Sequence, residues 1–189
     1  MSEVKEYIIR TITIKEAKPF VQKWHYSKTL PASTELFGLY RQEDELIGVA
    51  SYGHPAMRNQ ASCYNIDIEL RRLCLIDDTP KNAESKFISL TLKELKRKGY
   101  KSVLSLADPV HGHTGVIYKA SNFKYLGREK GGGSRLLVVD GEVIHSRSAW
   151  AKYGTSGIKS LKKLLGEDRV FGRNKERKYV YRYDLNAKN

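Results

Sequence analysis

The spacing of apolar positions changes several times along this chain, and each change predicts a new element. Residues Glu6–Ile14, containing "YIIRTITI", are rich in β-branched side chains and predict a strand. Ala17, Phe20, Val21 and Trp24 then recur at i, i+3, i+4 and i+7, one face of a helix. Thr13 and Glu16 have capping-box spacing, but Pro19 falls inside the same helix and leaves its start open by several residues. The stretch "HYSKTLPAST" predicts an irregular loop. Leu36–Arg41 and Leu46–Tyr52 flank "QEDE" as a hairpin, and Asp67–Ile76 predicts a third strand of that run.

After the turn "DDTPKN" the period becomes helical. Phe87, Ile88, Thr91, Leu92 and Leu95 share a face of a helix over Ala83–Lys98, with Lys93, Lys96, Arg97 and Lys98 in its last turns and Gly99 beyond. "SVLSLA" predicts a short buried strand, and Thr114–Asn122 a second short helix burying Val116, Ile117 and Ala120. "RLLVVDG" predicts a strand, His145–Gly166 has mixed helical character, and "KYVYRYDL" closes as an alternating strand. The order is β-α-β-β-β-α-β-α-β with a basic helical insertion, at about 141–175, and a final strand. This predicts one α/β (α+β) domain over 1–189, a mixed sheet with helices on both faces.

Charge alters this picture. The chain of 189 residues carries a formal +13, and residues 124–189 hold 16 Lys/Arg against 7 Asp/Glu. Such a basic third suits a polyanion or, more plainly, a solvated surface. Composition excludes a disordered chain. No apolar run reaches the roughly 18 residues that span a bilayer, and the start lacks a signal-peptide layout. Cys63 and Cys74 have no metal-ligand spacing and read as reduced thiols of a cytoplasmic protein.

Candidate chemistry gathers in "SLADPVHGHTGVIYKASNFKYLG". Asp108 ends a buried strand, where open α/β sheets bind ligands, although an Asp before Pro109 also simply starts a turn. Tyr118 lies beside the expected apolar stripe of the short helix, and its phenol can reach a cleft. His111 and His113 can move protons near neutral pH or be polar surface. His25 follows a helix and can be a capping histidine. Arg71 and Arg72, neighbours on one strand, are expected to face opposite ways, one of them into the cleft. "GGGS" at 131–134 lacks the ending of a phosphate loop and reads as a turn. In the basic third, Arg147, Trp150, Lys152, Tyr153, Lys162, Lys163, Arg173 and Lys175 interleave cations with aromatics, as phosphate contact plus base stacking requires.

The element order resembles the GNAT acyltransferase fold, in which acyl-CoA lies between two splayed parallel strands, here Asp67–Ile76 and Ser102–Ala107. Its pyrophosphate would meet the following helix N-terminus. The resemblance assigns that contact to Lys81, Asn82, Ala83 and Ser85, with Arg72 and Leu73 on the strand. The glycine-rich loop usual in that family is replaced by "DTPKNAESK". "IYKASNFKYLG" resembles the family ending in which a tyrosine, here Tyr118, is the general acid, with Asn122 where a glycine usually stands.

Four further stretches, "WHYS", "ELRRLCLIDDTPKNAESKF", "LADPVHGHTGVIYKASNF" and "KYVYRYDL", resemble the Mom family of phage DNA-modification proteins. That resemblance implies transfer of an acetamido/methylcarbamoyl-type group to N6 of adenine in double-stranded DNA, with the base flipped out, in the host cytoplasm, as protection from restriction endonucleases. It also implies an iron site and a catalytic group made of His25, Tyr26, Asp108 and Tyr118. A conventional acetyl-CoA-dependent N-acetyltransferase and a non-catalytic nucleic-acid-binding protein are the alternatives, with a methyltransferase behind both. The oligomeric state stays open, a homodimer among the choices.

Overall fold

The computed structural model describes residues 7–42, 44–55, 60–130, 136–144, 146–173 and 177–187. It divides into two compact units: the chain up to Ala107 with residues 114–127 and the stretch from Tyr179 onward, and residues 108–113 with 128–178.

The first unit contains β1 (Tyr7–Thr11), α1 (Ile14–Trp24), β2 (Glu35–Arg41), β3 (Glu45–Gly53), α2 (Gln60–Tyr64), β4 (Ile68–Leu75), α3 (Ala83–Arg97), β5 (Ser102–Ala107), α4 (Val116–Ala120), β6 (Lys124–Arg128) and, later in the chain, β10 (Tyr179–Asp184). These strands form one sheet in the order β1-β2-β3-β4-β5-β10-β6. Pairings from β1 to β4, and of β5 with β10, are antiparallel. β4 and β5 run parallel and pair only at Ile68–Val103, Glu69–Leu104 and Leu70–Ser105. β4 continues to Leu75 and β5 to Ala107 without pairing, so the sheet splays just past Leu70 and Ser105.

α1 begins where its cap dictates. Thr13 N–H donates to Glu16 Oε2 at 2.7 Å and Glu16 N–H donates to Thr13 Oγ1 at 3.4 Å, closing a capping box. Pro19 lies within the helix and removes one intrahelical donor without ending it. Ala17, Phe20 and Val21 pack with Val49 and Cys74 beneath one face of the sheet. α3 buries Phe87, Ile88, Leu92 and Leu95 against Phe37, Ile47, Ile68, Leu70 and Val103.

Two expectations fail locally. The alternation along β4 is broken by a bulge: Ser51 pairs with Arg72 and Tyr52 with Leu70, so Arg71 is the extra residue. Leu70 and Leu73 consequently join the same core despite their odd spacing. The short helix after β5 also differs, for Val116 is 67% exposed while Ile117 and Tyr118 pack on the core.

The second unit contains β7 (Leu136–Val139), β8 (Glu142–Ile144), α5 (Ser146–Tyr153), α6 (Ile158–Leu165) and β9 (Val170–Arg173), with an antiparallel sheet β8-β7-β9. Asp140 and Gly141, both at positive φ, turn β7 into β8. Leu137, Val139, Ala149, Leu161 and Val170 form its core. "GGGS" at 131–134 lies outside the described residues.

Candidate active site

α1 stops at Trp24, and His25 caps it in an extended conformation while its N–H still donates to Val21 O. The imidazole is buried, at 7% exposure. Its Nδ1 accepts the Ser27 backbone N–H at 3.0 Å and lies 2.9 Å from Ser27 Oγ. An acceptor at Nδ1 places the proton of the neutral ring on Nε2. The Tyr26 ring, half exposed, packs 4.3 Å from the imidazole between centroids.

Both arginines of the β4 bulge hold the loop that follows. Arg71 donates to Ala32 O at 2.9 Å, and Arg72 donates to Thr29 O at 2.8 Å and Thr29 Oγ1 at 3.2 Å. Both guanidinium groups turn to the same loop, against the expectation that the two arginines would face opposite ways. The bulge is the cause, because it removes the strict alternation. Burial lowers the Arg72 pKa, and the charges of Tyr26 and Glu69 oppose that shift.

At the splay, Tyr118 enters from α4. Its ring keeps some exposure, but its hydroxyl is enclosed, and this burial pushes the phenol up to about 12. Ser105 eases that shift, while Tyr26, Glu69 and Tyr181 add to it. The Ser105 hydroxyl is fully buried on β5 and meets no partner with good hydrogen-bond geometry among the described residues. Its influence on Tyr118 therefore comes from proximity and a weak contact. Glu69, also buried, sits one residue before the last paired position of β4. Sequence reading missed both Glu69 and Ser105. The available signal was a polar residue inside an otherwise apolar strand at the predicted cleft.

The geometry aiming Tyr118 is local. Gly115 precedes α4 at φ +78, and a Cβ there would lie 2.2 Å from the Tyr181 ring. Tyr181 donates its hydroxyl to Thr114 O at 2.7 Å. After α4, Asn122 adopts φ +61, a conformation that Asn tolerates better than other non-glycine residues. That explains how asparagine serves at a position where glycine was expected.

A groove of about 510 Å³ runs between the end of β4, the start of α3 and α4, lined by Leu75, Ile76, Lys81, Asn82, Ser85 and Ile117. A larger hollow of about 1050 Å³ shares Lys81, Asn82 and Ser85 and adds Ala83, Lys86 and Tyr183. Arg72 and Leu73 line neither. Asn82 is left-handed at φ +71 and makes no side-chain cap, while Ser85 Oγ donates back to Asn82 O at 3.0 Å. The Ala83 N–H donates to Pro80 O at 3.1 Å and the Lys86 N–H to Asn82 O at 3.0 Å, so the start of α3 brings Lys81, Asn82 and Ser85 to the groove's end with part of its backbone donors already used.

Asp108 belongs to the second unit. Its Oδ1 accepts the Val110 N–H at 3.2 Å, its carbonyl accepts from His111 and His113, and Lys178 Nζ lies 3.6 Å from Oδ2. It therefore nucleates the turn before Pro109 and carries an ion pair. His111 and His113 are exposed, with rings 6.5 Å apart. Trp150 is 64% exposed, Lys152 stands 5.2 Å over the Tyr153 ring, Lys162 pairs with Glu167 at 2.9 Å, and Lys163 is exposed. Lys175 lies outside the described residues, as do the side chains of Arg147 and Arg173.

No group of three or more His, Cys, Asp or Glu side chains able to hold a metal ion occurs among the described residues. In the first unit the imidazole of His25 is accompanied by the phenol of Tyr26.

Comparison with known proteins agrees with the splayed sheet. An N-acetyltransferase from Staphylococcus aureus Mu50 superposes with TM-score 0.53 at 15% identity, over 95% of this chain and 98% of that one. The ribosomal-protein-S18-alanine N-acetyltransferase of Escherichia coli gives 0.53 at 8% identity, over 97% of each chain. A Salmonella typhimurium protein solved with its cofactor acetyl-CoA gives 0.54 at 9% identity, over 97% of this chain and 96% of that one. These establish a GNAT-like fold. Among the described residues no helix is long and apolar enough to cross a membrane. The methylcarbamoylase Mom of Escherichia phage Mu is 31% identical over 192 residues, covering 95% of this chain and 73% of the relative. With the Mom protein family model matching residues 6–189 as well, the chain belongs to the Mom family.

Proposed function

We propose that this protein is a transferase that places an acetamido/methylcarbamoyl-type group on N6 of adenine in double-stranded DNA, shielding phage DNA from restriction endonucleases in the host cytoplasm. The observation that carries the reading is the likeness, along 95% of the chain, to a protein named a methylcarbamoylase. The net charge of +13 favours a polyanionic acceptor.

A CoA-bound donor would supply an activated carbonyl; for a methylcarbamoyl group the second nitrogen would have to arrive within that donor, as a thiocarbamate, with the thiolate leaving and the N6 proton passing to solvent. Lys81, Asn82, Ala83 and Ser85 at the start of α3 would hold its phosphates, and the narrower groove leads from there toward α4. Tyr118, kept protonated far above neutral pH, has a proton to give to a departing thiolate. The imidazole of His25, with its proton on Nε2, orients polar groups beside Tyr26. Adenine N6 is a poor nucleophile, so positioning a flipped base is the larger part of the task. Trp150, Lys152, Tyr153 and Lys163 are offered as contacts to DNA.

The test is expression in a bacterium followed by mass spectrometry of the nucleosides from its DNA. A heavier deoxyadenosine that disappears with Tyr118→Phe supports the reading, and its mass identifies the group. Unmodified DNA together with acetyl-CoA-dependent acetylation of a protein or small amine would move the assignment to a conventional N-acetyltransferase.

A further inference from the structure

The first unit carries a line of tyrosines that the chemistry above does not use. Tyr125 on β6 is 45% exposed, and its ring lies 5.3 Å from that of Tyr181 between centroids. Tyr181 lies 5.4 Å from Tyr118, and Tyr179 stands 6.1 Å from Tyr125 on its other side. The rings thus run from an open sheet edge to the phenol at the splay. Tyr181 is buried and donates its hydroxyl proton to Thr114 O. Tyr125 leaves almost half its surface in water, although burial is what rewards an aromatic ring.

We propose that Tyr125, with Tyr179 beside it, is a stacking site for an unpaired purine base on its way to Tyr118. This rests on the DNA-adenine reading above and extends it to how the acceptor is recognised. A flat π-system gains from an exposed ring and an anionic backbone suits a chain of net charge +13, whereas an aliphatic amine gains little from the ring. A mere cross-strand pair would need Tyr125 for stability only, and the two roles separate experimentally. Base–aromatic stacking predicts that Tyr125→Leu weakens single-strand binding by about 5- to 150-fold, while Tyr125→Phe keeps it.

The experiment uses the full chain and a short single-stranded oligonucleotide with one 2-aminopurine in place of adenine. Binding to the unaltered protein should quench the 2-aminopurine fluorescence; Tyr125→Leu should lose the quenching and the affinity at an unchanged melting temperature, and Tyr125→Phe should retain both. If Tyr125→Leu melts early, Tyr125→Thr, which suits a strand, takes its place. Full quenching and affinity in the Leu or Thr variant overturns the stacking site. That result leaves the DNA-adenine reading standing wherever modified deoxyadenosine still forms in cells. A protein that neither binds the oligonucleotide nor modifies DNA overturns both.

Discussion

Gly115 and Tyr181 are interlocked: the tyrosine ring occupies the space where a Cβ on residue 115 would stand, 2.2 Å away. The left-handed backbone at Gly115 and the Tyr181 hydroxyl on Thr114 O together set the entry into α4. Tyr118 follows one turn later, so its aim depends on a contact between α4's approach and the last strand of the sheet.

Gly115→Ala should therefore displace the start of α4. Overpacking and the left-handed conformation together cost about 2–5 kcal/mol. Urea unfolding should show that loss, and modification should fall more than stability alone explains. Recovery of activity in a Gly115→Ala, Tyr181→Leu double variant would identify the ring as the obstacle.

Tyr118→Phe keeps the ring against Phe123 and Tyr181 and removes only the hydroxyl. The fold should persist with an unchanged melting temperature, and the rate of modification should drop by about 100-fold or more, the usual worth of a general acid. A variant of full activity would remove Tyr118 from the chemistry.

Alkaline unfolding follows from the buried weak acids. Burial raises the Cys74 thiol from 9.0 to about 12 and the Tyr118 phenol from 10.0 to about 12, and it raises Tyr52 as well. Each raised group releases its proton first in the unfolded chain. Its contribution to stability is complete below the unfolded pKa and is lost as pH climbs toward the folded one. Stability should hold to about pH 9 and decline between about pH 9 and 12. Cys74→Ala should flatten the first part of that decline in denaturant titrations taken at successive pH values.

Arg72→Lys should loosen the loop around Thr29, because an ammonium cannot reproduce a planar fork that reaches Thr29 O, Thr29 Oγ1 and Arg71 O. Limited proteolysis should cut residues 27–33 faster in this variant than in the unaltered protein. Arg71→Ala should do the same through Ala32 at a smaller cost, about 1 kcal/mol.

Glu69→Gln preserves the shape of the buried side chain and removes its charge. Because Glu69 adds to the shift of Tyr118, the variant should bring the Tyr118 phenol down while leaving it protonated at neutral pH, a stronger acid, so modification should rise. Unchanged modification across a pH series would show that the carboxylate is only structural.

Legibility in the sequence followed the range of the interactions. The capping box at Thr13 and Glu16 and the helix over α3 are written in neighbouring residues, and both were readable. The order strand–helix–strand gave the neighbouring pair β4 and β5, while their splay was an expectation of the resemblance to the GNAT fold. The Asp140–Gly141 turn was also local, a hairpin signal read only as the end of a strand. The β4 bulge was not readable, because nothing near Arg71 reveals which residue β3 will skip. Nor was the role of Tyr181, which meets Gly115 from 66 positions away only once β10 has paired. His25 and Tyr118 were singled out by resemblance, and in the first unit the imidazole is buried and the Tyr118 ring packs on the core, whereas the Asp108 carboxylate accepts the Val110 N–H in the turn of the second unit.

The position of β10 has a temporal meaning. It lies between β5 and β6, yet it is made after the whole second unit. While the ribosome is still translating residues 128–178, β5 has an open edge and Gly115 has no ring to rest on. The first unit must wait, with a sheet unfinished on one side, until Tyr179–Asp184 emerge to fill the gap. Long-range closure of this kind is slow and exposes strand edges. A nascent chain thus has no assembled Tyr118 pocket, and Gly115 and Tyr181 meet only when the last strand arrives.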